Sequence, residues 1–275
     1  MLTKDDTTTL TIGGDLPVHR LGFGAMRLTG RLDRATGIAI ARRAVERGVT
    51  FIDTADSYDF GDNEELLAAA LHPYPAGVVI ATKGGHVNVG RDWIPLGRPE
   101  YLRQQAELSL RRLRLDRIDL YQLHRIDPTV PLADQIGALR RLQDEGKIRH
   151  IGLSEVTVDQ LVEAARITPI ASVQNRYNLT DRAHEDVLDH CARRGIAFIA
   201  YCPIARHATP AITAVAKRHD ATVTQIALAW LLRRSPVMVP IPGTSSGAHL
   251  DENLAAATLT LDADDVSQLT SATSR

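Results

Sequence analysis

The chain has 275 residues, about the size of one (β/α)8 barrel, with 44% hydrophobic residues for a sizeable core and an ordinary charged fraction of 24%. Its formal net charge of −1 gives no electrostatic reason to expect nucleic acid or an anionic membrane as a partner. The sequence contains neither an apolar span long enough for a transmembrane helix nor an N-terminal signal pattern, so we expect a cytoplasmic protein with no membrane partner.

Eight apolar runs typical of buried parallel strands recur along the chain. They fall at residues 21–24, 49–53, 78–83, 118–124, 150–154, 171–174, 196–201 and 237–241. Helical patterns follow them at residues 34–46, 63–71, 99–113, 132–144, 158–166, 183–193, 223–233 and 249–256. This alternation, repeated without a break in composition, predicts an α/β fold. We expect a (β/α)8 TIM barrel in a single domain over residues 1–275, in preference to an open doubly wound sheet.

Several segments lie outside this repeat. Residues 8–12 and 16–19 flank a glycine-rich turn and predict an N-terminal β-hairpin over the bottom of the barrel. Residues 211–218 and 262–270 predict two extra helices. Residues 84–98, which follow the third apolar run, are expected to form a loop.

Four polar residues lie at or just after the ends of the second, third and fourth apolar runs: Asp53, Tyr58, Lys83 and His124. Because the carboxyl ends of barrel strands meet at one mouth, we expect these side chains to converge there. A free phenol has a pKa of about 10, so Tyr58 needs a neighbouring cation to favour the phenolate and act as an acid–base group. Lys83 is the candidate cation, and Asp53 is its candidate ion-pair partner. The alternatives are a purely structural Lys83–Asp53 pair and a packed His124.

A metal site is not expected. Lys83 would repel an ion held by His124 and Asp53. The two cysteines, Cys191 and Cys202, lack the CxxC spacing of a zinc site and do not suggest a disulfide framework. We therefore predict two reduced, mostly packed thiols.

Short signatures follow the second to the sixth strand-like runs. They are residues 48–58 with Asn63-Glu64, Ala81-Thr82-Lys83, Leu123-His124, Gly152-Leu153-Ser154 and Gln174-Asn175-Arg176-Tyr177-Asn178. Taken in order, one per strand end, they resemble the aldo-keto reductase superfamily across essentially the whole chain. Within that superfamily, residues 123–127 and 241–246 resemble a bacterial branch that includes pyridoxal reductases.

The resemblance implies an NADP-dependent oxidoreductase that reduces an aldehyde or ketone to an alcohol. Hydride would come from the nicotinamide, Tyr58 would donate the proton, and His124 would orient the carbonyl. Pyridoxal is a candidate substrate, and Trp93 is a candidate wall of the substrate pocket. Two alternatives remain open: an NAD(P)-dependent alcohol dehydrogenase in a biosynthetic pathway, and a cofactor-binding regulatory protein with little turnover. We expect a monomer whose partner is a small-molecule carbonyl.

The chain has no GxGxxG after a strand, so a Rossmann nucleotide site is not expected. The resemblance instead places NADPH, with NADH possible, at the barrel mouth. Ser154 and Gln174 would hydrogen-bond the carboxamide, and Tyr201 would stack on the nicotinamide ring. Glu155 stands where the family usually has asparagine. The other residues expected near the cofactor at the mouth are Gly24, Ala25, Met26 and Pro203.

The stretch Gly243-Thr244-Ser245-Ser246 leads into the helix predicted after the eighth run. Hydroxyl groups and free backbone N–H groups at a helix N-terminus suit the 2′-phosphate of NADPH. The family often places a lysine and an arginine here, whereas this chain has Gly243 and His249. Glu252 and Asn253 match positions that contact the adenine.

Overall fold

The computed structural model describes residues 8–90, 92–205 and 208–272, which form twelve β-strands and ten α-helices. The strands are β1 (Thr9–Ile12), β2 (Leu16–His19), β3 (Phe23–Gly24), β4 (Phe51–Asp53), β5 (Val79–Gly84), β6 (His86–Val89), β7 (Asp92–Pro95), β8 (Ile118–Leu123), β9 (Ile148–Ser154), β10 (Ser172–Arg176), β11 (Ala197–Tyr201) and β12 (Met238–Pro240). The helices are α1 (Arg34–Glu46), α2 (Asp62–Leu71), α3 (Pro99–Leu113), α4 (Leu132–Asp144), α5 (Val158–Ala165), α6 (Glu185–Arg194), α7 (Pro210–Arg218), α8 (Val223–Arg234), α9 (Gly247–Ala255) and α10 (Ala263–Ser271).

Eight of these strands form one parallel sheet in the order β3-β4-β5-β8-β9-β10-β11-β12. Two backbone hydrogen bonds join its edges. The N–H of Gly22 donates to the carbonyl of Pro240 at 3.0 Å, and the N–H of Gly24 donates to the carbonyl of Pro242 at 3.3 Å. The sheet therefore closes on itself, and the predicted (β/α)8 barrel is confirmed.

The predicted elements of the barrel repeat, the N-terminal hairpin and the two extra helices are all present, with ends within two residues of the prediction. Local chemistry explains why these ends could be located. Capping boxes built on Thr157, Thr222 and Asp262 start α5, α8 and α10. None of the described helices has the length and apolar character needed to cross a membrane.

The hairpin β1–β2 covers the amino-terminal end of the barrel strands, as predicted. Ile12, Leu16 and Val18 on the hairpin belong to one buried cluster with Phe51 and Val79, which lie at the starts of β4 and β5. A larger apolar layer packs the outer faces of the strands against the helices. The polar side chains described below lie at the opposite end of the barrel, where the strands end. We call this end the mouth.

The expectation of a loop over residues 84–98 was wrong for most of the residues that the structure describes there, because they form two strands. β6 and β7 form an antiparallel hairpin in which His86 lies opposite Pro95 and Asn88 lies opposite Trp93. The side-chain amide of Asn88 donates to the Ser57 carbonyl at 2.8 Å, which attaches this hairpin to the mouth. The segment is short and has no Asn-Gly or Asp-Gly turn, so its sequence carries little hairpin signal.

Both cysteines are free thiols, as predicted. Cys191 is buried in α6, whereas Cys202 is exposed directly after β11. The expectation of packed thiols therefore holds for Cys191 and fails for Cys202, which lies where the chain leaves the barrel.

Candidate active site

Lys83, near the end of β5, is at the centre of the mouth, and its side chain is 0% exposed. Its ammonium group donates to Asp53 Oδ2 at 2.6 Å, to the Thr54 carbonyl at 2.8 Å and to the Tyr58 hydroxyl at 3.1 Å. An ammonium has three N–H donors, and each has an acceptor here. The buried charge is therefore fully hydrogen-bonded, and it is held directly beside the phenol.

Asp53 ends β4 and is 2% exposed. Besides the ion pair with Lys83, it accepts hydrogen bonds at Oδ1 from Gln174 at 2.7 Å and from Gln122 at 3.2 Å. The strand register explains this convergence, because Lys83 pairs with Gln122 across β5 and β8. Our sequence reasoning missed Gln122, although a polar residue inside an otherwise apolar strand was a visible signal.

The protonation states follow from burial and charge together. Burial opposes the charge on Lys83, but Asp53 and Tyr58 outweigh it, so the pKa of Lys83 is raised and the ammonium persists. Burial raises the pKa of Tyr58, and Lys83 opposes that rise without cancelling it. Lys83 therefore favours the phenolate, as expected, but burial has the larger effect on the pKa of Tyr58. The phenol stays protonated, which is the state that a proton donor requires.

His124 follows β8 and is buried at the mouth. Burial, with the charge of Lys83 as the next contribution, lowers the pKa of His124 well below its usual value, so the imidazole is neutral. Its Nδ1 lies 3.3 Å from the Ser57 hydroxyl, and its ring lies 6.0 Å from the Tyr58 ring at a steep angle of 80°. Ser57 is a second site residue that sequence reasoning missed.

The hairpin β6–β7 brings two more rings to this site. Trp93, 40% exposed, lies 6.0 Å from the rings of both Tyr58 and His124, so the predicted pocket wall is at the mouth. His86, which sequence reasoning did not single out, lies 4.4 Å from His124 and 5.6 Å from Trp93, measured between ring centroids. The four rings of Tyr58, His124, Trp93 and His86 are therefore neighbours.

The residues predicted to hold the nicotinamide lie on adjacent strands. Gln174 pairs with Ser154 across β10 and β9, and Arg176 pairs with Tyr201 across β10 and β11. The amide nitrogen of Gln174 is used by Asp53, whereas its side-chain oxygen accepts no hydrogen bond from the described residues. The hydroxyl of Ser154 accepts from Arg125 at 3.0 Å and can still donate its own hydrogen.

Glu155, in place of the asparagine usual in the family, has a positive φ of 55° and points its carboxylate back to the protein. One oxygen accepts from the backbone N–H of Arg176 at 2.7 Å. Burial, with the charge of Glu155 as the next contribution, raises the pKa of Tyr201, which is half-buried at the end of β11. Glu155 therefore acts on the charge state of the predicted stacking residue, and its position is fixed by the backbone of Arg176.

Two of the glycines predicted to contact the cofactor have a structural reason of their own. A Cβ on Gly24 would lie 2.9 Å from the Ile241 carbonyl oxygen, and one on Gly243 would lie 2.7 Å from that of Gly24. The seam between the first and last barrel strands thus requires glycine at both positions. The other predicted residues of this group are Ala25 and Pro203, which are buried, and Met26, which is 52% exposed.

The predicted phosphate site is the start of α9. Ser246 caps this helix by accepting the His249 backbone N–H, and Thr244 accepts the Ser246 N–H at 3.0 Å. The first turn contains no acidic residue, and the side chains of Ser245 and His249 are exposed. The helix terminus is open to an anion.

The two residues predicted at the adenine lie farther along α9. One carboxylate oxygen of Glu252 accepts from the Thr222 hydroxyl at 2.7 Å, which links α9 to the start of α8. Asn253 is buried. Glu252 therefore has a structural role beside the predicted one.

A family model described as the Aldo/keto reductase family matches residues 20–274 of the chain. Among curated proteins, an uncharacterized oxidoreductase of Schizosaccharomyces pombe is 50% identical over 259 residues, covering 90% of this chain and 84% of the relative. Pyridoxine 4-dehydrogenase of Escherichia coli is 39% identical over 280 residues, covering 96% of this chain and 97% of the relative.

Solved structures of aldo-keto reductases are also similar to this chain. A thermostable aldo-keto reductase in complex with the inhibitor epalrestat superposes with a TM-score of 0.86 at 31% identity, covering 98% of this chain and 99% of the other. An aldo-keto reductase from Klebsiella pneumoniae in complex with NADPH superposes with a TM-score of 0.83 at 28% identity, covering 98% of this chain and 94% of the other. Both superpositions cover nearly the whole of this chain.

Proposed function

The chain belongs to the aldo/keto reductase family, and we propose that it reduces an aldehyde or ketone to an alcohol with NADPH as the hydride donor. The observation that carries this proposal is the buried Lys83 ammonium, which lies 2.6 Å from Asp53 and 3.1 Å from the Tyr58 hydroxyl. This arrangement holds a protonated phenol beside a fixed cation at the barrel mouth. A carbonyl that accepts hydride needs such a donor for its oxygen.

The mouth fits a nicotinamide. A carboxamide has one acceptor oxygen and one donor NH2 group, which match the Ser154 hydroxyl and the open side-chain oxygen of Gln174. Tyr201 offers a half-buried aromatic surface beside them. The nicotinamide, when bound, supplies the hydride.

Tyr58 then donates its proton to the oxygen that gains charge. The phenolate that remains is stabilised by Lys83, whose ammonium already hydrogen-bonds that oxygen. Asp53 keeps the ammonium in position through its ion pair, while Gln122 and Gln174 hold Asp53. Gln122 and Gln174 hold Asp53, Asp53 holds Lys83, and Lys83 holds the Tyr58 hydroxyl. The proton donor is therefore preorganised before any substrate arrives.

His124 orients the carbonyl. When the Ser57 hydroxyl donates to Nδ1 of the neutral imidazole, the ring carries its proton on Nε2. That N–H is the second donor to the carbonyl oxygen, which lies between Tyr58 and His124. A neutral imidazole donates without competing with Tyr58 as the source of the proton.

NADPH is the proposed cofactor because the start of α9 has an exposed hydroxyl at Ser245 and no acidic residue in its first turn, which suits a 2′-phosphate. NADH remains the alternative, since His249 stands where the family often has arginine. Arginine carries a permanent charge and binds a phosphate through two parallel N–H groups, which a histidine side chain does not offer. We therefore expect NADPH to be preferred, but by a modest factor.

Pyridoxal is the proposed substrate to test first. The relative that is 39% identical over nearly its whole length is named for the oxidation of pyridoxine, and the rings at this mouth suit a flat aromatic aldehyde. That relative's name also supports the second candidate, alcohol oxidation with NADP or NAD. The same residues serve both directions by microscopic reversibility.

The test is a fluorescence titration with NADPH and NADH, followed by loss of reduced-nicotinamide absorbance with pyridoxal and small aldehydes, and by the reverse assay with pyridoxine. Tight NADPH binding with carbonyl turnover is the expected result. Faster oxidation of pyridoxine under matched conditions would favour the dehydrogenase. Binding without turnover in either direction would overturn the reductase in favour of the regulatory alternative.

A further inference from the structure

His86 is a buried titratable residue at the mouth that the mechanism above does not use. It begins β6, is 6% exposed, and has its ring 4.4 Å from that of His124 and 5.6 Å from that of Trp93. Its Nδ1 is shielded from solvent and has no hydrogen-bond partner among the described residues. Buried polar atoms are usually paired, so packing within the protein does not account for this ring. The other ring nitrogen, Nε2, is not enclosed and forms no hydrogen bond with the described residues, so Nε2 is the nitrogen open to a ligand.

Packing alone does not explain a histidine here. A phenylalanine would fill a similar space without leaving a nitrogen unpaired, and unpaired buried nitrogens are destabilising. The backbone is fixed independently of the ring. The Tyr101 hydroxyl donates to the His86 carbonyl at 3.0 Å, and the N–H of Leu96 donates to the Gly85 carbonyl at 3.0 Å. The ring is thus held at the mouth by contacts that do not involve its nitrogens.

The charge state of the His86 ring determines which chemical groups of a ligand it can bind. Burial, with Arg125 and Lys83 as further contributions, lowers the pKa of His86 to about 4, so the ring is neutral at physiological pH. A neutral imidazole has one N–H donor and one acceptor nitrogen. A hydroxyl group, which both donates and accepts, matches a neutral imidazole.

We propose that His86 hydrogen-bonds a hydroxyl group carried next to the reacting carbonyl, so that the site selects hydroxy-substituted aldehydes. The proposal rests on the proposed function, which places the carbonyl oxygen at His124. The rings of His86 and His124 are neighbours, and a hydroxyl on the adjacent carbon lies about one hydrogen-bond length from the carbonyl oxygen. Trp93, which contacts both imidazoles, lies beside the place proposed for the carbonyl and the hydroxyl of the aldehyde.

The experiment compares kcat/KM for 2-hydroxybenzaldehyde with that for 2-fluorobenzaldehyde, which is similar in size but lacks the hydroxyl. We expect the ratio to fall by about tenfold or more from the wild type to His86→Phe, because the ring remains while its nitrogens are lost. His86→Gln, which restores a donor and an acceptor, should recover part of the ratio. His190→Phe on α6 removes an imidazole outside the mouth and should leave the ratio unchanged.

The ratio cancels any general loss of activity, so the outcomes are distinct. Equal ratios in the wild type and His86→Phe would overturn the role of His86 while leaving the reductase intact. If His86→Phe does not fold, the ratio of kcat/KM for the two aldehydes in the wild type still tests the proposal. The wild-type ratio is compared with the ratio of the rates at which borohydride reduces the two aldehydes, which gives their intrinsic reactivity. A wild-type ratio less than about threefold above that value would overturn the proposal, because a hydrogen bond to the hydroxyl predicts a larger preference. No turnover of any aldehyde would overturn the proposed function itself.

Discussion

The mouth of the barrel and the start of α9 are both predicted to hold the cofactor, but they are built in opposite ways. At the mouth, Lys83 and Asp53 are buried and hydrogen-bonded within the protein before any ligand arrives. At α9, Ser245 and His249 are exposed, whereas the neighbouring hydroxyls of Thr244 and Ser246 hydrogen-bond the backbone of the helix start. The mouth is preorganised, whereas the α9 site is completed by its ligand.

This difference predicts different consequences of substitution. Removing a charge at the mouth leaves its partner buried and unpaired, so folding and catalysis should both suffer. Changing a side chain at α9 alters contacts with water and with one phosphate, so cofactor choice should change and folding should not.

The largest effect is expected for Lys83→Met, which removes the cation from a pair whose side chains are 0% and 2% exposed. Asp53 then carries a buried charge without its partner, and we expect the free energy of unfolding to fall by about 3–5 kcal/mol. Urea denaturation followed by circular dichroism measures this. The double variant Asp53→Asn/Lys83→Met should be more stable than Lys83→Met, because no unpaired charge remains. A single variant as stable as the wild type would contradict the preorganised mouth.

The next effect is on catalysis alone. Tyr58→Phe removes the proton donor but keeps the ring, so carbonyl turnover should fall by at least ~10²-fold. NADPH affinity, measured by fluorescence titration, should stay near that of the wild type, because the hydroxyl belongs to the substrate side of the mouth. Unchanged turnover would remove Tyr58 from the mechanism, and a large loss of NADPH affinity would show that it acts through the cofactor.

The sequence was sufficient to predict the barrel and the four central residues. The fold repeats one local pattern eight times, and strand ends in a parallel barrel necessarily share a mouth. Asp53, Lys83 and Tyr58 could thus be placed together from their positions at strand ends, and the hydrogen bonds of Lys83 agree with that placement.

The missed residues depend on information that is not local. Ser57 and His124 are 67 positions apart, and Gln122 and Asp53 are 69 apart, so their contacts depend on strand register and loop path. His86 reaches the site on a hairpin with little sequence signal. The contacts predicted with the nicotinamide, the phosphate and the adenine remain predictions, since they concern atoms outside this chain.

A buried acid beside the mouth gives a pH-dependent prediction. Neither carboxyl oxygen of Asp56 has a hydrogen-bond partner among the described residues. Burial, and secondarily the charge of Glu64, raises the pKa of Asp56 to about 8. An unfolded aspartate has a pKa of about 3.9, so between these values the folded state holds more protons. The contribution of Asp56 to stability is therefore lost as pH rises through that window, by at most about 1.4 kcal/mol per pH unit.

Asp56→Asn should remove this dependence. Between pH 5 and pH 7, the stability of the variant relative to the wild type should rise by about 2 kcal/mol. The difference between the two proteins isolates Asp56, because His86 and His124, whose pKa values are lowered, contribute equally to both. Urea denaturation at several pH values measures it. Parallel pH profiles would mean that Asp56 is ionised in the folded protein at neutral pH.

The smallest effect is expected at α9, where His249→Arg adds a permanent charge beside the proposed phosphate site. The ratio of kcat/KM for NADPH to that for NADH should rise by about five- to tenfold, since a guanidinium brings a permanent charge and a bidentate hydrogen bond to the phosphate. The gain should shrink at high salt because the side chain is exposed. His72→Arg adds the same charge at an exposed position after α2 and should leave the ratio unchanged. An equal rise in both variants would mean that net charge, and not the start of α9, determines the preference, whereas no rise in either would place the phosphate elsewhere.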